Sequence, residues 1–214
     1  MPERGRFVVF EGGEGAGKST QVRMLADRLA ESGYDVLTTR EPGGTPTAEA
    51  IRELLLAPAA EPMSDRCEAL LFAAARADHV AKVIEPALDS GRIVVCDRFV
   101  DSSLAYQGSA RGLAVAEVAE VSRWATAGLI PDLTVLLDIP PARGLARAVD
   151  GNRMESQSAA FHEQVRAGLL ALASAEPHRY LVVAADSTRE EIGAAVWEEI
   201  RERLPEPHHQ GLLR

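Results

Sequence analysis

Two hydrophobic periods alternate along the chain. Short apolar runs at 7–10, 36–39, 93–96, 133–137 and 181–183 have the length and β-branched content of strands. The run at 93–96 is apolar without a break, the pattern of a strand covered on both faces. Between the runs, apolar residues recur at helical spacing. Val22, Leu25, Ala26 and Leu29 share one face of a helix over 18–31, and Gly33 ends it. Thr45 before Pro46 has the form of an N-cap with a first-turn proline, opening a helix that runs to 56. Asp65 with Glu68 reads as a capping box for a long helix reaching 88. Helices over 115–127, 141–148 and 159–175 follow, and Ser187 with Glu190 caps a last one reaching 204. The tail at 205–214 reads as disordered.

This alternation predicts an α/β fold in three layers. A five-stranded parallel sheet carries helices on both faces, joined by right-handed crossovers. Ligands of such sheets bind beyond the carboxyl ends of the strands. Chemistry is therefore expected just after Phe10, Thr39, Cys96 and Leu137.

The first of these places carries Gly12-Gly13-Glu14-Gly15-Ala16-Gly17-Lys18-Ser19, followed by Thr20. Four free positions between the first and last glycine, with a strand before and a helix after, match the phosphate-binding loop pattern. Glycines let backbone N–H groups turn in on an anion without a Cβ in the way. The helix adds the positive end of its dipole. In this pattern Lys18 reaches the β- and γ-phosphates of a nucleoside triphosphate, and Ser19 holds Mg²⁺ through its hydroxyl.

The fold and the loop do not name a reaction, because GTPases, ATPases and kinases share them. The other strand ends discriminate. Glu14 sits in a loop that holds anions, so it is either a solvated turn residue or an acceptor for a hydroxyl on a second substrate. Asp97-Arg98 is either a surface pair or a site in which Asp97 holds magnesium-bound water and Arg98 clamps a phosphate. Arg40 and Pro42, within Arg40-Glu41-Pro42-Gly43-Gly44, form an ordinary turn or a second clamp beside a rigid wall. Phe72 and Arg76 lie four apart on the long helix, hence on one face. They belong to the core, or they present a ring and a planar guanidinium to a base.

Composition narrows the choice. A chain of 214 residues accommodates one domain with a small mobile appendage. Its 23 basic and 32 acidic residues give a formal net charge of −9, which repels the nucleic-acid backbone. A polyanionic ligand must then be met by a local cluster of cations. The longest apolar run, 69–75, is far short of the ~20 residues of a membrane span, and no signal-peptide core opens the chain. Its two cysteines, Cys67 and Cys96, read as reduced core thiols of an intracellular protein. A GTPase switch needs an Asn-Lys-x-Asp string to read guanine, and Asn152 is the chain's one asparagine.

Taken together, these strings resemble the bacterial thymidylate kinases, which are nucleoside-monophosphate kinases built on a phosphate-binding loop. The resemblance covers residues 1–204. It rests on Phe10-Glu11-Gly12 entering the loop, on Arg40 to Thr45, and on Phe72-Ala73-Ala74-Ala75-Arg76. Asp97-Arg98 with Ser102 and Ser103, Ala105-Tyr106-Gln107-Gly108 and Pro131-Asp132-Leu133 complete it. It implies a single kinase domain, cytoplasmic and homodimeric, that uses ATP and Mg²⁺ to convert dTMP to dTDP, a step in dTTP synthesis. Neither nucleic acid nor a membrane is an expected partner.

The resemblance also implies roles. Gly12 to Thr20 bind ATP, and Glu14 contacts the sugar 3′-hydroxyl of dTMP. Phe72 stacks on thymine, Arg76 reads its carbonyl edge, Ser103 faces the base, Tyr106 crowds the 2′ position, and Gln107 lines the same pocket. Arg98 and Arg40 lie near the acceptor phosphate beside Pro42, with Asp97 on the magnesium side. Because Gly13 to Ala16 hold no basic residue, the family pattern puts a catalytic arginine in the lid that closes over the donor. The matching segment, 147–158, is short and offers Arg147 and Arg153.

Overall fold

Phe7 and Val9 point to one side of a strand, Val8 and Phe10 to the other, and all four are buried. In the computed structural model, which describes residues 3–57, 63–147 and 153–204, this strand is β1 (Phe7–Gly12). The others are β2 (Val36–Arg40), β3 (Ile93–Asp97), β4 (Leu133–Asp138) and β5 (Tyr180–Ala184). All pairings are parallel, in the order β2-β3-β1-β4-β5, so β1 is central. Each expected strand is present and extends its apolar run by one or two residues.

The helices among the described residues are α1 (Lys18–Glu31), α2 (Pro46–Leu56), α3 (Asp65–His79), α4 (Glu85–Asp89) and α5 (Val100–Ser103). After them come α6 (Val115–Ala125), α7 (Pro141–Leu145), α8 (Ala159–Ala175) and α9 (Arg189–Arg201). A π-helical turn, Val80–Ile84, joins α3 to α4, and a second π-helical stretch, Leu104–Ala110, continues α5.

The two sheet faces have separate cores. Val8 and Phe10 pack with Val22, Leu25 and Leu29 of α1 and with Ile192, Val196 and Ile200 of α9. Phe7 and Val9 pack with Val80, Ile84, Leu88 and Phe99 on the opposite face. Farther along that face, Leu136 meets Phe161, Val165 and Leu169 of α8. These layers fix the sheet edge that matters. The register sets Phe10 beside Asp97, Asp97 beside Arg40, and Gly12 beside Leu137. The loop after β1, the end of β2 and the end of β3 therefore meet at one carboxyl edge.

Several local expectations are corrected. The cap of α3 is Ser64, whose hydroxyl accepts from the Cys67 N–H, rather than Asp65; both residue types cap, and the chain turns one residue earlier. By the same one-residue shift, α9 opens with Thr188 and Glu191 in a reciprocal capping box, not with Ser187 and Glu190. Cys96 is buried as expected, but Cys67 is exposed, because the first turn of α3 presents it to solvent. The 104–110 stretch, between the expected strand at 93–96 and the expected helix at 115–127, is helical as well. The tail at 205–214 and the middle of the expected lid, 148–152, lie outside the described residues.

Candidate active site

The loop between β1 and α1 wraps tightly because other backbone crowds it. Gly15 has a φ of 66°, and a Cβ there would lie 1.9 Å from the Gly144 carbonyl oxygen. A Cβ on Gly144 of α7 would in turn meet the Glu14 carbonyl oxygen at 2.2 Å. Loop and helix thus approach backbone to backbone, which only glycine permits. Lys18 is buried and folds over the loop, donating to the carbonyls of Gly12 and Gly13 at 3.1 and 2.7 Å. Burial, with the Arg98 charge next, lowers its pKa from the ordinary lysine value. The Ser19 hydroxyl donates to Asp97 Oδ2 at 2.6 Å, joining the start of α1 to the end of β3.

Arg98 is the next residue along β3's exit and has a φ of 70°, a left-handed backbone that non-glycine residues seldom adopt. The cause lies in β1. Glu11, fully buried, accepts the N–H groups of Phe99 at 2.8 Å and Ser102 at 3.0 Å, and the Ser102 hydroxyl at 2.6 Å. This carboxylate pins the chain on the far side of Arg98. The guanidinium then donates to Gly12 O, to Ser102 Oγ and to Glu14 Oε1, at 3.1, 3.1 and 3.0 Å. It also lies over the Tyr106 ring, whose hydroxyl donates to the same Glu14 oxygen at 2.9 Å.

Two carboxylates only three residues apart are driven in opposite directions. Burial opposes ionisation of Glu14, yet Arg98, Lys18 and the Tyr106 hydroxyl outweigh it and bring its pKa down to about 2. Burial and the neighbouring Asp101 raise Glu11 from 4.5 to about 7, against the pull of Arg98 and the hydrogen bonds from Ser102 and Phe99.

A cavity of about 450 Å³ opens over this edge. Glu14, Gly15, Gly17, Lys18, Ser19 and Thr20 line its loop side. Arg40, Pro42, Asp97 and Arg98 line the strand ends, and Phe72, Ser103, Tyr106 and Gln107 the opposite wall. Arg147 reaches in from the segment after α7 and donates to Ala185 O at 3.0 Å. Arg40 is exposed and paired with Glu49.

Other expected residues sit differently. Gly12, Gly13 and Ala16 shape the loop from behind, outside the lining. Arg76 is just behind the wall, buried and tied to Glu41 and Ser103, both of which line the cavity. Arg153 is turned away: it donates to Leu55 O at 2.8 Å and to Glu68 at 2.7 Å. Glu68 is buried and also receives Gln107 and Arg111, which hold its pKa below the ordinary value despite burial.

Sequence reasoning missed Arg52, which lines the cavity and donates to Pro42 O at 2.7 Å; nothing in its helical spacing marks it. It also missed Glu41 and Glu68 as holders of arginines, and Glu11 as the acceptor that fixes the chain beside Arg98. Glu11 did carry a signal, a lone acid directly after an apolar run.

The Glu11 shift has a sign. Below pH 4.5 the group is protonated in the folded and unfolded chains alike. Between 4.5 and about 7 the folded chain keeps a proton that the unfolded chain releases, so stability falls as pH rises, by roughly 3 kcal/mol at most. Glutamine at position 11 can accept the same backbone N–H groups and has no proton to lose. The Tm of Glu11→Gln minus that of wild type should therefore grow steadily from pH 5 to pH 8; a constant difference would show that Glu11 ionises normally.

The family model described as Thymidylate kinase matches residues 10–196. The thymidylate kinase of Synechococcus sp. (strain JA-2-3B'a(2-13)) is 49% identical over 199 residues, covering 93% of this chain and 96% of its own. That of Thermomicrobium roseum is 52% identical, with 92% and 94% covered. Among solved structures, the crystal structure of thymidylate kinase from Ehrlichia chaffeensis is similar with a TM-score of 0.78 and 32% identity, over 92% of this chain and 99% of that one. With the family match spanning most of the sequence and these relatives covering nearly all of it, the chain belongs to the thymidylate kinase family.

Proposed function

We propose that the chain moves the γ-phosphoryl group of ATP onto the 5′-phosphate of dTMP, giving ADP and dTDP, in the cytoplasm and as a homodimer. The observation that carries this reading is the single cavity that joins Lys18 and Ser19 to Phe72, Ser103 and Tyr106. One end has the chemistry of a triphosphate cradle and the other that of a slot for a flat base with a sugar.

In the proposed mechanism an acceptor phosphate oxygen attacks the γ-phosphorus while the bond to the bridging oxygen breaks. Little covalent chemistry falls to the protein, whose part is to position the reactants and neutralise charge. Lys18 and the loop N–H groups hold the donor's β- and γ-phosphates. Arg98 and Arg40 hold the acceptor phosphate, with Arg52 adding charge beside them. Glu14 is kept ionised by Arg98 and Lys18, which suits it to accept the sugar 3′-hydroxyl, and Tyr106 beside it crowds a 2′-hydroxyl. Ser19 and Asp97 present hard oxygens 2.6 Å apart, a set that fits Mg²⁺ shared with phosphates and water. Ser19 would bind it directly and Asp97 through water; bound there, it neutralises charge on the β- and γ-phosphates.

Of the two lid arginines, Arg147 is favoured for the transferred group because it lines the cavity, whereas Arg153 is held by Glu68 and Leu55. A segment closing there also keeps water from taking the phosphoryl group. For the dimer, α3 and α6 pack side by side and expose Leu70, Val115, Val121 and Trp124, the last 84% accessible. A second copy covering this face removes them from water. No helix among the described residues is long and apolar enough to cross a membrane.

A coupled assay of ADP release over a panel of nucleoside monophosphates should show the highest kcat/KM with dTMP. Any other best acceptor would contradict the reading. In the same assay Arg147→Ala should lower kcat by about 100-fold or more with little change in KM for ATP, and Arg153→Ala should cost under about tenfold. The reverse ranking would return the catalytic role to Arg153. Trp124→Glu should shift the sedimentation of the chain from dimer to monomer, and an unchanged dimer would place the interface elsewhere.

A further inference from the structure

Behind the wall that carries Phe72 and Ser103, four side chains form a chain of hydrogen bonds: Arg76 and His79 from α3, Thr39 from β2 and Glu41 from the turn after it. Arg76 Nε donates to Glu41 Oε2 at 2.6 Å. Glu41 Oε1 lies 3.2 Å from His79 Nδ1, and His79 Nε2 lies 2.7 Å from the Thr39 hydroxyl. A carboxylate oxygen only accepts, so the ring proton on this side sits on Nδ1. Arg76, Glu41 and His79 are 2%, 5% and 0% exposed, which leaves no solvent to substitute for a missing partner.

The run has a consequence at its other end. A guanidinium has five N–H donors in a rigid plane. Nε is taken by Glu41, and Nη2 donates to Phe99 O at 3.0 Å and Ser103 Oγ at 3.1 Å. Nη1 is buried and has no partner in the protein. Which nitrogen is left over depends on which edge of the guanidinium Glu41 grips. Glu41 is in turn braced by a histidine that is fully buried and packed under the Gly43-Gly44 turn: a Cβ on Gly44 would lie 2.5 Å from His79.

We infer that Glu41, braced by His79 and Thr39, is a positioning residue for acceptor choice: it holds Arg76 so that Nη1 stays available for a carbonyl oxygen on the acceptor base. This inference rests on the proposed use of the cavity for dTMP. A base that presents an amino group at that point meets donor with donor, so the Glu41–His79–Thr39 brace discriminates between carbonyl-bearing and amino-bearing pyrimidines without touching either.

The test compares kcat and KM for dTMP and dCMP in wild type, Thr39→Val, Glu41→Gln, His79→Gln and His79→Ala. Thr39→Val and Glu41→Gln should raise KM for dTMP and cut the ratio of kcat/KM for dTMP over dCMP by about tenfold, with KM for ATP unchanged. His79→Gln, which keeps a donor for Glu41 and a carbonyl for Thr39, should retain most of the ratio that His79→Ala loses. If the variants melt at lower temperature but keep the wild-type ratio, the brace is merely structural and the inference fails. Should His79→Ala not fold, the near-isosteric Thr39→Val decides alone. A wild-type enzyme that does not prefer dTMP counts against the proposed function instead.

Discussion

Phosphoryl transfer presses two polyanions together, and their mutual repulsion is the constraint to which the rest of this structure responds. The chain as a whole is the wrong sign for the task, with a formal net charge of −9. The fold answers locally. Lys18, Arg40, Arg52, Arg98 and Arg147, from distant stretches of sequence, converge on one cavity beside the amino end of α1. In a partly enclosed site each of these charges acts through a lower dielectric than it would at the surface.

Such a cluster also repels itself, and buried carboxylates hold Arg98 within it and further arginines around it. Glu14 takes Arg98 directly, and Glu11 fixes the backbone and the serine that flank it. Glu41 takes Arg76, and Glu68 takes Arg111 and Arg153. Buried ion pairs of this kind contribute little net stability once desolvation is counted. What they supply is geometry: Glu14 fixes Arg98 by one nitrogen, and Glu41 fixes Arg76 so that Nη1 is left without a partner in the protein. The same carboxylates link regions, since Glu68 joins Gln107 of the pocket wall to Arg153 of the expected lid.

The parts legible in the sequence were those set by neighbours in the chain. The loop from Gly12 to Thr20 is readable because its chemistry depends on spacing, and the strands because their apolar runs are continuous. Placing Arg40, Asp97 and Arg98 at one edge followed from parallel topology alone. The carboxylate partners were not readable, because they are long-range: Glu11 bonds residues 88 and 91 positions away, and Glu41 lies 35 from Arg76. The π-helical stretch 104–110 escaped because five consecutive residues, Leu104 to Gly108, are all buried, so no polar face marks a helical period. Arg147 and Arg153 look alike as residues; the capture of Arg153 by Glu68 and Leu55, and the place of Arg147 in the cavity lining, separate them only in three dimensions.

The central claim is that triphosphate cradle and base slot are two ends of one charged cavity. A crystal structure with dTMP and ADP bound tests it most directly. The base should lie against Phe72, with its phosphate between Arg40 and Arg98 and facing the ADP held over Lys18. Finding the deoxynucleotide lodged anywhere else, or the two ligands in separate cavities, would contradict it.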